Sequence, residues 1–148
     1  MAVYWFTGQP SHGKTVLAKL LKEELQKHGQ VFHIDGDDLR ALTLNKDFSE
    51  QGRIDNVKGA QKIAHYLYNQ NYIVVVSVIA PYRWQREELK TMLGADLVEL
   101  YVHTTSPRER DHFSVKDYEA PLENFIDVDT TDDTPEESIV KILNIIHG

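Results

Sequence analysis

Gly8-Gln9-Pro10-Ser11-His12-Gly13-Lys14-Thr15 is the stretch that decides the fold. It fills every position of G-x-x-x-x-G-K-[ST], the pattern of a phosphate-binding loop (P-loop). Its flanks suit that reading. Val3-Tyr4-Trp5-Phe6 upstream predicts a buried strand, and Val16-Leu17-Ala18-Lys19-Leu20-Leu21 downstream predicts a helix. Between a strand and a helix, the loop's backbone N–H groups point at phosphates, and the helix dipole favours negative charge at the same place. Gly8, Ser11, His12, Gly13, Lys14 and Thr15 are therefore the expected phosphate contacts. Lys14 is expected to reach the β- and γ-phosphates of ATP, and Thr15 to offer its hydroxyl to Mg²⁺. His12 either adds charge beside phosphate when protonated or is an exposed loop residue.

Outward from the loop, strand-like and helix-like stretches alternate. Strands are predicted at 2–7, 30–35, 72–78, 97–103 and 125–128, and helices at 14–28, 37–44, 53–70, 83–93 and 135–147. The run Tyr72-Ile73-Val74-Val75-Val76-Ser77-Val78 lacks polar alternation, as a strand buried on both faces of a parallel sheet requires. The predicted class is α/β: a P-loop NTPase-like three-layer sandwich around a mostly parallel sheet of about five strands, with 1–148 as a single domain. Gly29 and Gly94 suit helix C-termini, and Thr134-Pro135 suits a helix start with Thr134 as N-cap. Residues 104–124, irregular and carrying Pro107 and Pro121, read as a functional loop region.

The 148 residues carry a formal net charge of −7, which argues against a nucleic-acid polymer as partner, because such partners demand a basic surface. The basic residues Lys14, Arg40, Arg53, Arg83, Arg108 and Arg110 nevertheless fall near the predicted site loops, which suits a small anionic ligand; Arg108 and Arg110 are candidate contacts to ATP. With no cysteine, neither a disulfide framework nor a thiolate metal site is available. The first strand enters the P-loop within eight residues, leaving no room for a targeting segment. No apolar run is long enough to span a bilayer. A soluble, cytoplasmic protein without a membrane partner is expected.

Parallel sheets bind ligands outside the carboxyl ends of their strands. Each predicted strand end here carries polar residues: the P-loop, Asp35-Gly36-Asp37-Asp38, Ala80-Pro81-Tyr82-Arg83, and Thr104-Thr105-Ser106. One carboxylate beside a P-loop can hold Mg²⁺ and a second can accept a proton from an attacking hydroxyl; Asp35 and Asp37 are the candidates. Helix capping alone would also favour Asp there. Arg53 and Asn56, three apart on a predicted helix, share a face and suit capture of a phosphate or sulfate and of a ring or sugar edge. Phe48, just before that helix, suits a core staple if read alone.

At this point the sequence resembles the adenylylsulfate kinases (APS kinases), which phosphorylate the 3′-hydroxyl of adenosine 5′-phosphosulfate using ATP. The resemblance spans almost the whole chain. It is carried by the P-loop, Asp35-Gly36-Asp37-x-x-Arg40, Phe48-Ser49-x-x-x-Arg53-x-x-Asn56, Ile79-Ala80-Pro81-Tyr82-Arg83 and Tyr118-Glu119-Ala120-Pro121. It implies that Lys14 and Thr15 handle ATP and Mg²⁺, that Asp35 helps hold the metal, and that Asp37 is the base beside the 3′-hydroxyl. It further implies that Arg40, Arg53 and Asn56 hold the phosphosulfate nucleotide, that Ile79, Ala80, Pro81 and Tyr82 line its site, and that Phe48 and Phe113 sandwich its adenine. A role in sulfate assimilation is expected with it, and a homodimer is one of the states the sequence leaves open.

The chain departs from the family pattern in several places. Asn is usual where it has Asp38, Ser where it has Ala80, and Glu where it has Asp55; Lys58-Gly59 stands for a pair of arginines. The family's long basic lid is cut to six residues, His112 to Asp117, between Arg110-Asp111 and Tyr118, with Lys116 its one lysine. These departures keep two alternatives open: a P-loop kinase for a different nucleotide-linked hydroxyl, and a nucleotide-binding module with little turnover.

Overall fold

The computed structural model describes residues 2–9, 13–105, 115 and 117–147. Among these residues, five strands, β1 (Val3–Thr7), β2 (Val31–Asp35), β3 (Ile73–Ser77), β4 (Leu97–His103) and β5 (Ile126–Asp129), are interspersed with five α-helices. The helices are α1 (Lys14–Leu25), α2 (Gly36–Thr43), α3 (Glu50–Asn69), α4 (Arg83–Leu93) and α5 (Pro135–His147). The strands form one sheet in the order β2-β3-β1-β4-β5, and all four pairings are parallel, so the sheet is parallel throughout rather than mostly so. Every described strand therefore ends on the same edge.

Alternation along each strand splits the core in two. Tyr4, Phe6, Val75, Leu100 and Val102 face α1 and α5, meeting Leu17, Leu21, Ile139 and Ile142. Val3, Trp5, Val74 and Val76 face the other side, against Leu39, Val57, Ala60 and Ala64 of α2 and α3 and Leu89 and Leu93 of α4. A sheet covered on both faces needs no polar alternation in its central strand, which is why β3 reads as continuous valine.

Most element boundaries fall within one residue of expectation, but two helix ends differ by three. Helix α1 stops at Leu25 instead of 28, because the N–H groups of Lys27 and His28 bond back to the carbonyls of Glu24 (3.3 Å) and Leu25 (2.9 Å), tightening the chain into a turn. Gly29 thus lies beyond the helix cap. Helix α3 begins at Glu50 instead of 53, because the Ser49 hydroxyl accepts from the N–H of Gly52 and supplies the cap. Gly94 does close α4, with φ 57°. Thr134 and Glu137 bond each other's backbone N–H at 3.1 and 3.0 Å, the reciprocal cap that starts α5.

Two contacts hold the ligand-bearing edge in place. Gly8 leaves β1 pressed against β4, where any Cβ would collide with the carbonyl oxygen of Val102. Below the loop after β3, Arg86 is buried and pairs with the equally buried Glu99 at 3.0 Å. Its Nη1 donates to the Ala80 carbonyl at 2.6 Å and its Nη2 to that of Glu119. Ala80 takes a positive φ of 44°, unfavourable for a residue with a Cβ, so the guanidinium grips a strained turn. Arg83 adds two bonds to the Ala120 carbonyl (3.0 and 2.7 Å), and the Thr7 hydroxyl joins the Ile79 carbonyl (2.7 Å) to the Tyr118 phenol (2.9 Å). Burial pushes the Tyr118 phenol well above its ordinary pKa, so it stays protonated in this bond.

Removing the guanidinium while leaving Glu99 buried should be costly. Lys90 still pairs with Glu99 at 2.7 Å, so Arg86→Met is expected to lower unfolding free energy in urea by about 1–3 kcal/mol, mainly through the Ala80 and Glu119 carbonyls that lose their donor, and Arg86→Met/Glu99→Leu to recover part of it. Equal stability of Arg86→Met and the unaltered protein would show that the pair does not hold the turn.

Candidate active site

Where β1, β2 and β3 end, the structure opens into a cavity of about 390 Å³, a size that suits a nucleotide-like ligand. Lys14 and Thr15 of α1 form one wall, and Asp35, Gly36, Asp37 and Arg40 another. Phe48, Arg53, Asn56 and Val57 approach from α3 and the segment before it, and Ser77 to Pro81 from the end of β3. Val115 completes the lining. Residues far apart in the chain meet here because parallel strands deliver their carboxyl ends to one edge.

Lys14 is buried, and its Nζ donates to the carbonyl of Gln9 at 2.8 Å. Gly13 caps α1 in a left-handed conformation, φ 101°, so the helix begins directly at the P-loop lysine. The Thr15 hydroxyl donates to Asp35 Oδ1 at 2.8 Å, and the Ser77 hydroxyl donates to the same oxygen at 2.8 Å. The His33 Nε2 lies 2.7 Å from Ser77 Oγ, extending the chain of bonds along the sheet. Burial pulls against ionisation of Asp35, but the two hydroxyls and the Asp38 backbone outweigh it and hold the carboxyl below its ordinary pKa. Burial pulls His33 below its ordinary value, which favours the neutral ring. Asp35 Oδ2 also accepts from the Asp37 N–H at 3.2 Å and caps α2. Capping and site chemistry are thus done by different oxygens of one carboxylate.

Asp37 stands exposed in the first turn of α2 at the cavity wall. Arg40 Nη1 is tied to the loop before α3, donating to the Asn45 carbonyl (3.2 Å), Asn45 Oδ1 (3.2 Å) and the Asp47 carbonyl (2.9 Å). Burial and then the nearby Arg53 charge lower the Arg40 pKa. Two guanidinium groups that repel each other across a cavity wall are relieved by an anion between them. Gly52 permits this loop to fold down: a Cβ there would collide with the Asp47 carbonyl. Phe48 is consequently 64% exposed, with the Arg40 guanidinium 4.2 Å from its ring centre. It is no core staple; it offers an aromatic face to the cavity. Asn56 Nδ2 donates to the Gly36 carbonyl at 3.4 Å, while its buried Oδ1 has no partner among the described residues. A buried acceptor left open beside a cavity suits a donor from a ligand.

Ile79, Ala80 and Pro81 line the cavity as expected from sequence, whereas Tyr82 is buried at the start of α4 and is not among its walls. Arg83 is spent on Ala120 rather than on the cavity. Ser11, His12, Arg108, Arg110 and Phe113 lie outside the described residues. Sequence reasoning missed Ser77, His33, Gln9 and Val115. Ser77 had a signal: it is the polar residue that ends an otherwise apolar strand, level with Asp35 in the sheet. Val115 had none.

The adenylylsulphate kinase family model matches residues 1–142. The chain belongs to the adenylylsulfate kinase family. The adenylyl-sulfate kinase of Aeromonas salmonicida is 30% identical over 149 residues, covering 96% of this chain and 76% of that protein. The cytidine diphosphoramidate kinase of Campylobacter jejuni is 29% identical over 143 residues, covering 93% of this chain and 84% of that protein. Among solved structures, the Mycobacterium tuberculosis APS kinase in complex with AMPPNP and APS shares the fold, with a TM-score of 0.83 over 99% of this chain and 98% of that one at 23% identity. Membership in the adenylylsulfate kinase family makes the chain a phosphotransferase that acts on a hydroxyl. Among its described residues no helix is long and apolar enough to cross a membrane.

The Arg40–Arg53 pair should bind simple anions. Sodium sulfate at tenfold excess over its dissociation constant is expected to stabilise the protein by about 1.4 kcal/mol relative to chloride at equal ionic strength. Arg53→Ala is expected to abolish that difference while melting normally without sulfate, as thermal denaturation would show.

Proposed function

We propose that the protein transfers the γ-phosphoryl group of ATP to the 3′-hydroxyl of adenosine 5′-phosphosulfate, giving 3′-phosphoadenosine 5′-phosphosulfate and ADP, a reaction of sulfate activation. The observation that carries this reading is one cavity that joins the P-loop lysine, an exposed carboxylate and an arginine pair beside an aromatic face. Family membership supplies the reaction class.

In this reading Lys14 leaves the Gln9 carbonyl and holds the β- and γ-phosphates, offsetting charge that spreads over the transferring group. Asp37 takes the proton of the 3′-hydroxyl as that oxygen bonds to phosphorus, and the bond from the γ-phosphorus to the β,γ-bridging oxygen breaks to release ADP. Arg40 and Arg53 bind the phosphosulfate, and Asn56 Oδ1 accepts from the nucleotide. Phe48 stacks on the base; Phe113 is assigned the opposite face by sequence resemblance alone. Thr15 and Asp35 present hard oxygen donors within 2.8 Å of each other, which fit Mg²⁺, a cation that takes few protein ligands and completes its shell with water and phosphate. When bound, Mg²⁺ neutralises phosphate charge and orients the chain for in-line transfer.

A second reading keeps the donor and changes the acceptor. The cytidine diphosphoramidate kinase matches this chain as well as the adenylyl-sulfate kinases do, and Ala80 in the cavity wall lacks the hydroxyl usual there. Phe48 and Asn56 would serve either base. Single-turnover phosphoryl transfer from ATP to adenosine 5′-phosphosulfate and to cytidine diphosphate-linked acceptors separates the two. The leading reading expects kcat/KM for adenosine 5′-phosphosulfate to exceed the others by at least about tenfold, and preference for a cytidine acceptor would replace it.

Lys14 and Asp37 make separate demands on the same assay. Lys14→Ala is expected to abolish transfer with an unchanged melting temperature. Asp37→Asn is expected to retain binding of both nucleotides by calorimetry and lose about 10²–10⁴-fold in kcat. An unaltered kcat in Asp37→Asn would move the base elsewhere, with Asp35 next.

A further inference from the structure

Gln9 fills the first variable position of the P-loop, and phosphate binding, which uses backbone N–H groups and Lys14, leaves its side chain without a role. That side chain is fully engaged. Its Nε2 donates to the Val115 carbonyl at 2.7 Å, and its Oε1 accepts from the Val115 N–H at 2.8 Å. The carboxamide thus pairs with the backbone of one residue in both directions, as a neighbouring strand would. The main chain of Gln9 is engaged as well, its carbonyl accepting from Lys14 Nζ at 2.8 Å. Gly8 just before it is pinned against Val102, so Gln9 has a fixed root. Val115 is 3% exposed and forms part of the cavity wall. Gln9 therefore touches the donor lysine through its backbone and the acceptor wall through its side chain.

We propose that Gln9 is a positioning residue that couples the two substrate sites, clamping Val115 to the P-loop so that donor and acceptor bind with positive cooperativity. The proposal rests on the kinase reading above and adds how its two sites communicate. Gln9 touches no reacting atom; it acts through Lys14 and Val115. Donor phosphates take Lys14 from the Gln9 carbonyl and are held by backbone N–H groups of the same loop, so the donor engages the main chain whose side chain holds Val115. With Gln9 held from both ends, the acceptor meets a Val115 wall that the donor has already helped to fix. Linkage then requires the acceptor to tighten donor binding by the same factor. Each of the two amide bonds is individually modest, but both end on a single residue.

Two variants test the clamp. Gln9→Leu keeps the approximate size of the side chain and removes both bonds. Gln9→Glu keeps the acceptor for the Val115 N–H and loses the donor to its carbonyl. Calorimetric titration of adenosine 5′-phosphosulfate, with and without a non-hydrolysable ATP analogue, gives the coupling factor. In the unaltered protein the analogue is expected to tighten acceptor binding about tenfold, within the usual range for linked sites. In Gln9→Leu the factor is expected to fall to within about twofold of unity, with acceptor KM raised about tenfold and kcat little changed, the signature of lost ground-state binding. Gln9→Glu is expected to fall between the two. Exchange of the Val115 amide hydrogen provides a readout that does not depend on the acceptor: the analogue should slow it in the unaltered protein and leave it unchanged in Gln9→Leu. If the unaltered protein binds the analogue but not adenosine 5′-phosphosulfate, the acceptor assignment fails, and the amide response alone decides the clamp. A coupling factor that survives in Gln9→Leu, or an amide response equal in both proteins, would overturn the proposal. So would a lowered melting temperature in both variants without loss of coupling, since that is the pattern of a purely structural bond.

Discussion

The carboxylate of Asp35 is the point on which the site depends. One oxygen receives the hydroxyls of Thr15 and Ser77, and the other receives the N–H of Asp37. Those partners come from the P-loop helix, the end of β3 and the first turn of α2. A single group therefore sets the spacing between the phosphate loop and the residue assigned as base. Both hydroxyls favour the ionised carboxylate against the pull of burial, so the charge is present where the Thr15 oxygen meets it. If the carboxyl were neutral, one oxygen would become a donor and the other a weaker acceptor, so the bonds that join the three segments would weaken together.

The opposite wall is held by charge of the other sign. Arg86, buried against Glu99, reaches the carbonyls of Ala80 and Glu119. A buried ion pair is weak support for stability as such, but breaking it on one side is expensive, so it fixes geometry firmly. Here it fixes an alanine with positive φ in the cavity wall, a conformation that would relax without its carbonyl partner. The same guanidinium ties the chain after Val115 to the loop after β3. The cavity thus has two anchored walls, one centred on a carboxylate and one on a guanidinium, while Phe48 between them stays exposed.

That exposure bears on which acceptor the site takes. Under the proposed reading, an aromatic face such as Phe48 would stack on any base and the Arg40–Arg53 pair would take any phosphate or sulfate, so neither would distinguish adenine from cytosine. Discrimination falls to groups with fixed direction: the open Asn56 oxygen and the backbone around Ala80. The similarity of the chain to kinases with different acceptors is consistent with a family scaffold in which the donor side is constant and a few acceptor-side groups set the substrate.

The P-loop, the alternation of strands and helices, and the order of the acidic, aromatic and arginine segments were all legible in the sequence. They rest on local rules: spacing within eight residues, a period of two or about 3.6, and capping residues next to the helices they start. The parallel sheet followed from that alternation, and with it the meeting of strand ends at one edge. What the sequence left open was whatever depended on distant residues touching. Ser77 joins Asp35 across 42 positions, and Gln9 joins Val115 across 106. Phe48 read alone suited a core staple, and only the family resemblance favoured a stacking surface; the loop before α3, folded close at Gly52, leaves the ring exposed beside the cavity. The boundary of α1 moved for the same kind of reason, a turn tightened by backbone bonds that no residue type announced. Side-chain type and local spacing are written in the chain, but the partner of a buried polar group is chosen only when folding removes water and leaves it one neighbour to bond.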